Sequence, residues 1–309
     1  MKILITGGAG FIGSHVAETY LAEGHEVVIV DDLSTGRREQ LPAQAVFYKL
    51  DIRSDGMDAI LEKERPDVVS HHAAQKSIPK SVADPLHDSD VNITGTLRLL
   101  NSCVRYGVKR VIFASTGGAL AGDSAAIPTP ESAHPMLMSP YAVSKYAIEQ
   151  YLRLYQLSHG LEFIALRYAN VYGPRQMPDG ECGVIPIFMR NAAAGISSTL
   201  YSYPDMPKGT TRDYVYIRDV CRANVSALSC EAGQVVNIGS GQELFIADIY
   251  EAVCQAMKLS LPLKRAGVRA GDLRRSALDC SKAASLLHWS AETQLPDGLQ
   301  ETAAWFYAS

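Results

Sequence analysis

The sequence predicts an α/β protein, a doubly wound parallel sheet with a second, smaller, interleaved C-terminal region. Three observations predict it. The first half alternates short apolar runs with longer segments of helical period, the pattern of a parallel sheet covered by helices on both faces. A G-x-x-G-x-x-G spacing stands between the first apolar run and the first helical segment. From Val171 onward Pro174, Pro178, Gly180, Gly183 and Pro186 crowd together, and the pattern becomes short and irregular.

Taken in order, KILIT at 2–6 is the first strand, and it breaks at Thr6-Gly7-Gly8. Phe11, Ile12, Val16, Tyr20 and Leu21 then recur at helical spacing as far as Gly24, which suits a helix C-cap. EVVIVDD at 26–32 is the next strand. VFYKLD, DVVSH, RVIFAS ending at Ser115 and FIALRY ending at Tyr168 continue the series, with helix-like stretches such as TGTLRLLNSCVRYG between them. VVNIGSG at 235–241 again reads as a buried strand ending in a glycine turn, so the span 214–241 is expected to return to the sheet. Residues 1–170 and 171–309 are then two interleaved domains. No internal repeat or low-complexity tract interrupts them.

Composition narrows the function classes. The chain has 309 residues, 47% hydrophobic and 20% charged, within the range of ordinary globular proteins rather than disordered, collagenous or coiled-coil ones. Its 29 Lys+Arg against 33 Asp+Glu are scattered, so no basic stripe suggests nucleic acid. The six cysteines, Cys103, Cys182, Cys221, Cys230, Cys254 and Cys280, form no C-x-x-C pair and no metal-ligand spacing with histidine, and read as packed thiols. His71 and His72 close a strand and read as packed or hydrogen-bonded rather than metal-binding. The first apolar run is too short for a secretory signal, and no run reaches the roughly 18 residues of a membrane span. A reducing cytoplasm is the expected compartment.

Gly7, Gly10 and Gly13 fall where bare backbone lets a pyrophosphate approach a helix N-terminus. A glycine triple alone would be only a tight turn; placed between a strand and an amphipathic helix it reads as a dinucleotide cradle. Asp31, 18 residues past Gly13, closes the second strand, where a carboxylate accepts ribose hydroxyls. That charge would repel a 2′-phosphate, which favours NAD over NADP. Arg37 and Arg38 point the other way, but they lie past Gly36 and read as a solvated loop.

Ser139-Pro140-Tyr141 starts a helix that sets Tyr141 and Lys145 one turn apart on one face. A neighbouring ammonium can stabilise a phenolate and bring a tyrosine toward the working range of a general base. On an arbitrary helix the pair would be surface decoration. Here it follows a strand ending in Ser115-Thr116, at the carboxyl edge where ligands of such sheets bind.

TGGAGFIG, Asp31, the Ser115-Thr116 strand end, YAVSK and RYANVYGPRQ together resemble the extended short-chain dehydrogenase/reductases, nearest their UDP-glucose 4-epimerase-like branch. The similarity continues through GVIPIF, TRDYVYIRDV, NIGSG and RAGDLRRSALDCSKA, so it covers nearly the whole chain. The resemblance implies an NAD-binding Rossmann domain and a domain for a UDP-sugar. It implies that Tyr141 is the catalytic base, that Lys145 holds both it and the nicotinamide ribose, and that Thr116 bonds the sugar 4-hydroxyl. Around the cofactor it places Gly7, Gly10, Phe11, Ile12 and Gly13, then Asp31, Asp32, Ser34, Thr35 and Gly36 on the ribose side. Asp51 and Ile52 would flank the adenine, Ala73, Ala74 and Lys76 would line the cleft, and Ser115 and Tyr168 would lie near the nicotinamide. Asn170, Val184, Arg212, Arg269 and Asp272 would hold the uridine diphosphate. The arginines suit phosphate as fork-shaped donors, although each stands beside an aspartate that could claim it.

The implied reaction is NAD-dependent 4-epimerisation of a UDP-sugar through a transient 4-keto sugar, with no metal. A small residue at Ser276 would admit an N-acetyl group at C2, so UDP-GlcNAc or UDP-GalNAc is expected beside UDP-glucose and UDP-galactose. A carboxylate-bearing sugar would want a cation near C6, for which Arg190 is a candidate. Family members pair through the helices TLRLLNSCVRYG and YAVSKYAIEQYLRLYQL, which implies a homodimer. Where relatives carry Tyr-Gly this chain has Ala121-Gly122, a change of pocket shape. A 4,6-dehydratase carries Asp-Glu or Asp-Lys after the threonine, where this chain has Gly117-Gly118. A 4-keto reductase of the same fold and a non-catalytic dinucleotide-sensing protein are the other readings.

Overall fold

The computed structural model describes residues 1–178, 183–268 and 273–308. Its strands are β1 (Lys2–Thr6), β2 (Glu26–Asp31), β3 (Val46–Lys49), β4 (Val68–His71), β5 (Arg110–Thr116), β6 (Glu162–Tyr168) and β7 (Asn170–Tyr172). The later ones are β8 (Thr199–Ser202), β9 (Thr211–Arg212), β10 (Tyr214–Tyr216), β11 (Gln234–Ile238), β12 (Leu244–Phe245) and β13 (Lys264–Gly267). Helices α1 (Phe11–Ala22), α2 (Gly56–Glu64), α3 (Ile78–Ala83), α4 (Pro85–Ser89) and α5 (Thr96–Tyr106) lie between the early strands. They are followed by α6 (Gly118–Ala121), α7 (Pro140–His159), α8 (Val184–Ala193), α9 (Ile217–Ser226), α10 (Ile246–Met257), α11 (Ser281–Leu287) and α12 (Leu295–Ala308).

One seven-stranded parallel sheet in the order β11-β6-β5-β4-β1-β2-β3 forms the frame. Its strands are apolar on both faces, and alternation sends successive side chains to opposite cores. Ile3, Ile5, Val27 and Ile29 join the core that continues into the C-terminal half. Leu4, Val28, Val30, Val111 and Phe113 join the core beneath α2, α5 and α7. The chain runs from β1 outward to β2 and β3, then returns to place β4, β5 and β6 on the other side. The turn after β1 therefore faces a crevice at the reversal of strand order, where open α/β sheets bind ligands.

Of the span expected to return to the sheet, only part does so. Gln234–Ile238 pairs with β6 as the edge strand, whereas Tyr214–Tyr216 pairs with β7 in a separate two-stranded ladder. Aromatic packing explains the second placement, because Tyr172 of β7 lies 5.3 Å, centroid to centroid, from the ring of Tyr216. Two further ladders, β9 with β12 and β8 with β13, brace the C-terminal half.

Candidate functional site

The turn from β1 into α1 is shaped by what glycine omits. Gly7 has φ 69°, and a Cβ there would lie 2.6 Å from the backbone nitrogen of Ala73, so the loops after β1 and β4 touch only because it has none. A Cβ on Gly13 would lie 2.2 Å from the Gly7 carbonyl oxygen. Gly10 is the N-cap of α1 and no side chain bonds into the first turn, so the amides of Phe11 and Ile12 point outward unsatisfied by the helix. An anion fits there.

Asp31 ends β2, buried, and its two carboxylate oxygens accept from Ala9 N–H at 3.0 Å and Leu33 N–H at 2.8 Å. Each oxygen keeps a lone pair for a ribose hydroxyl. Burial pushes the Asp31 carboxyl up from its ordinary value, and the two amides oppose that. Asp32 accepts from the amide and hydroxyl of Ser34 in the exposed turn that also carries Thr35. A Cβ on Gly36 would lie 2.8 Å from Asp31 Oδ1. Arg37 and Arg38 are exposed, and the Arg38 guanidinium sits over the Phe47 ring. Asp51 is gripped by Arg53 through Nε and Nη2, which holds its carboxyl below the ordinary range, and Ile52 beside it is buried.

His71 is an interior histidine, bonded to Thr6 Oγ1 at 2.6 Å and Thr96 Oγ1 at 2.9 Å and stacked on Phe113. His72 bonds Ser70 through Nε2, while its buried Nδ1 has no partner. Burial and the nearby Lys145 charge push the His72 ring down to about 3. Ala73 and Ala74 follow, half-buried, and Lys76 is exposed. Outward amides, a carboxylate with spare acceptors and an orphaned imidazole nitrogen on one crevice match a dinucleotide's pyrophosphate, ribose and amide groups.

The acid/base cluster lies at the carboxyl end of β5. Ser139 caps α7, accepting from Ala142 N–H, and Pro140 stands in its first turn, which fixes the helix start and thereby the direction of Tyr141. Thr116, at the end of β5, lies near enough to the Tyr141 phenol for its hydroxyl to act on that group's ionisation. One turn on, Lys145 is buried, donates to the Ala114 carbonyl at 2.9 Å and lies over the rings of Phe113 and Tyr141. Electrostatics here differ from the sequence expectation. Burial pushes the Tyr141 phenol up and the Asp88 charge adds to that, while the nearby Thr116 hydroxyl opposes it. Lys145 makes no hydrogen bond to the phenol; burial pushes its own amine down to about 8, against the pull of Asp88 and Glu149. Desolvation is the largest influence on the phenol.

Two cofactor expectations turn inward. Ser115 donates to Glu149 Oε1 at 2.6 Å, beside the buried Glu149–Arg167 ion pair, so its hydroxyl is spent in the core rather than offered to the cleft. Tyr168 pairs in register with Thr116, but its hydroxyl accepts from Asn224 in the interior.

The substrate expectations cluster on the C-terminal half. Asn170 Nδ2 donates to the Asp213 carbonyl, and Val184 opens α8. Arg212 donates to the Thr211 and Leu273 carbonyls, while the Asp213 carboxylate is filled by Ser240, Gly241 and Leu278 instead of the arginine. Ser276 is buried and faces Gly118, whose added Cβ would lie 3.4 Å from its Oγ. A Cβ on Gly117 would lie 2.3 Å from Leu278 Cδ1, so a side chain there would require the Leu278 side chain to move. Arg269 and Asp272 lie outside the described residues. Arg190 is exposed on α8 and donates to the Pro178 carbonyl. Sequence reasoning missed Gln75, Asp88 and Asn92, a buried polar cluster against α7; its one legible sign is the i, i+4 spacing of Asp88 and Asn92.

Comparison with known proteins agrees with this geometry. The profile of the NAD dependent epimerase/dehydratase family matches residues 3–239. A UDP-glucose 4-epimerase of Mycolicibacterium smegmatis is 38% identical over 312 residues, covering 99% of this chain and 98% of that protein. The crystal structure of the Thermotoga maritima UDP-glucose 4-epimerase with UDP-glucose superposes with a TM-score of 0.96 at 40% identity, covering 100% of this chain and 99% of that one. That of the Thermus thermophilus UDP-glucose 4-epimerase with NAD gives 0.94 at 41%, with both chains fully covered.

Proposed function

This chain belongs to the NAD dependent epimerase/dehydratase family, and from that premise we propose that it is a UDP-sugar 4-epimerase that keeps NAD bound through its cycle. The observation that carries this reading is the placing of Thr116 beside Tyr141 with the buried Lys145 one turn on, its amine 5.9 Å from the Tyr141 ring centroid, at the sheet edge that also bears the glycine turn. Oxidised NAD, when bound, supplies a reversible hydride acceptor and a positive charge.

Tyr141, as phenolate, takes the proton of the sugar 4-hydroxyl and later returns it to that oxygen, while the C4 hydride would pass to the bound acceptor and come back to the opposite face of C4. Thr116 steadies the phenol oxygen and the 4-hydroxyl, and the Lys145 ammonium favours the phenolate. Asn170, Val184 and Arg212, with Arg269 and Asp272, hold the uridine diphosphate, so the 4-keto sugar can swing about its phosphate link. Elimination of water across C5 and C6 would need an acid and a base after Thr116, where this chain carries Gly117 and Gly118. Ser276 leaves room at C2, which supports N-acetylhexosamines as substrates beside hexoses.

The test is a panel of UDP-glucose, UDP-GlcNAc and UDP-glucuronate given to purified protein with no cofactor added. We expect the first two to be interconverted with their 4-epimers, NAD to be released on denaturation and identified by mass, and Tyr141→Phe to lose roughly 10²–10⁴-fold in kcat while retaining NAD. Interconversion of none sinks the reading, and stoichiometric cofactor consumption would move it to a reductase. Failure on UDP-GlcNAc alone withdraws the Ser276 argument.

A homodimer and a cytoplasmic location complete the proposal. Leu154, Leu157 and Val143 stand exposed on α7, with Val82 and Leu86 on α3 and α4, an apolar face suited to a second copy. The described cysteines are free thiols, which suits a reducing compartment. Among the described residues no helix is long and apolar enough to cross a membrane.

A further inference from the structure

Behind Tyr141 and Lys145 lies a carboxylate that the reaction as written does not use. Asp88, on α4, is 1% exposed. It accepts from Gln75 Nε2 at 2.8 Å and Asn92 Nδ2 at 3.0 Å, and both donors are neutral amides. Among the described residues no cation is bonded to it. A buried charge without a bonded partner is costly and persists only where something repays it. The cluster is also tied to the catalytic helix. Gln75 and Asn92 bond each other through backbone and side chain at 2.8 and 2.9 Å, Asn92 Nδ2 reaches Ser144 Oγ at 3.2 Å, and Ser144 donates to the Tyr141 carbonyl. Asn92 itself sits in a π-helical segment, Asp90–Gly95, that widens the helix between α4 and α5, a feature often found at functional sites.

We propose that Asp88 is a positioning residue: its buried carboxylate is the counter-charge of the Lys145 ammonium and, through Asn92 and Ser144, fixes the helical turn that carries Tyr141 and Lys145. This inference rests on the reaction proposed above. The charge has a definite direction of action. It supports the ammonium and resists the phenolate. The other charges that face this site do not duplicate the role. Glu149 on α7 is paired with Arg167 of β6, and burial keeps His71 and His72 on β4 and its loop neutral. Lys80 on α3, His87 on α4 and Asp90 beyond it are exposed.

The experiment uses the NAD-loaded enzyme and Asp88→Asn, which removes the charge and keeps the shape. Both limbs of the kcat/KM profile against pH should move to lower pH, by roughly half a unit to one unit, because phenolate becomes easier and ammonium harder to form. Ser144→Ala, which cuts the tie and leaves the charge, should lower kcat with the limbs in place. Limbs unmoved in Asp88→Asn, or moved equally by Ser144→Ala, overturn the assignment. Where the asparagine variant does not fold, Asp88→Leu carries the same expectation. An ultraviolet titration of the Tyr141 phenolate, taken as the difference from Tyr141→Phe, separates this inference from the function itself, since it needs no turnover. A phenolate signal that rises at lower pH in the variant supports it; one that rises at the same or higher pH, or in neither protein, overturns it.

Discussion

Lys145 binds its proton less tightly when folded than when unfolded, and one side chain therefore pulls stability and activity in opposite directions. Its amine falls from an ordinary 10.5 to about 8 because burial disfavours the ammonium. Between those values the unfolded chain holds the extra proton, so stability rises with pH across the window. Activity should fall across the same window, as the ammonium that favours the phenolate is lost. We expect denaturant melts of the unsubstituted protein to gain stability from pH 8 to 10.5 relative to Lys145→Met, while kcat of the former declines. A constant stability difference would contradict this. At this scale the sequence was readable where spacing and chemistry coincide: Thr116, Tyr141 and Lys145 are each assigned before any coordinate is known. Asp88 was not, because PLHDSDVN looks like a solvated acidic stretch, and only packing of α4 against α7 turns one of its two carboxylates inward. The polarity of Ser115 was equally misleading, since its hydroxyl serves the Glu149–Arg167 pair.

Elements succeeded or failed on periodicity. The central strands β1, β2, β4, β5 and β6 are short, buried apolar runs, so their places follow from the sequence. The π-helical segment at Asp90–Gly95 leaves no such trace, since one extra residue in a turn alters no apolar pattern. The start of α1 offers a test of the cradle. Gly13→Ala would drive a methyl to within 2.2 Å of the Gly7 oxygen, so the helix must back away from the turn. We expect it to cost about 1–3 kcal/mol of stability and to empty the protein of NAD, read by thermal melting and by mass after denaturation. Gly24→Ala, at φ 79° but with nothing within 4 Å, should cost about 1–2 kcal/mol through backbone strain alone and keep NAD. Equal loss of NAD from both would show that the cradle geometry is not what binds it.

At the scale of the whole molecule α7 leaves an apolar surface without cover, Leu157 at 86% and Leu154 at 52% exposure. If two copies meet there, a paired Leu154→Glu and Leu157→Glu change places like charges across the contact. Sedimentation should then report a monomer where the unsubstituted protein is a dimer; an unchanged sedimentation coefficient would move the interface elsewhere. α5 shows Arg98, Asn101 and Arg105 outward, so of the two helices the sequence suggested α7 supplies the large exposed apolar side chains, joined by α3 and α4. Interleaving was legible only as a hint, in VVNIGSG, because a sequence reveals that a strand exists more readily than which neighbour it takes. The edge position of β11 has a consequence for synthesis. Until residues 234–238 leave the ribosome, β6 hangs at the sheet margin with a row of unsatisfied amides and carbonyls, open to pairing with another nascent chain. The nucleotide half is born first yet finished late, and its assembly waits on sequence translated well after its own last helix.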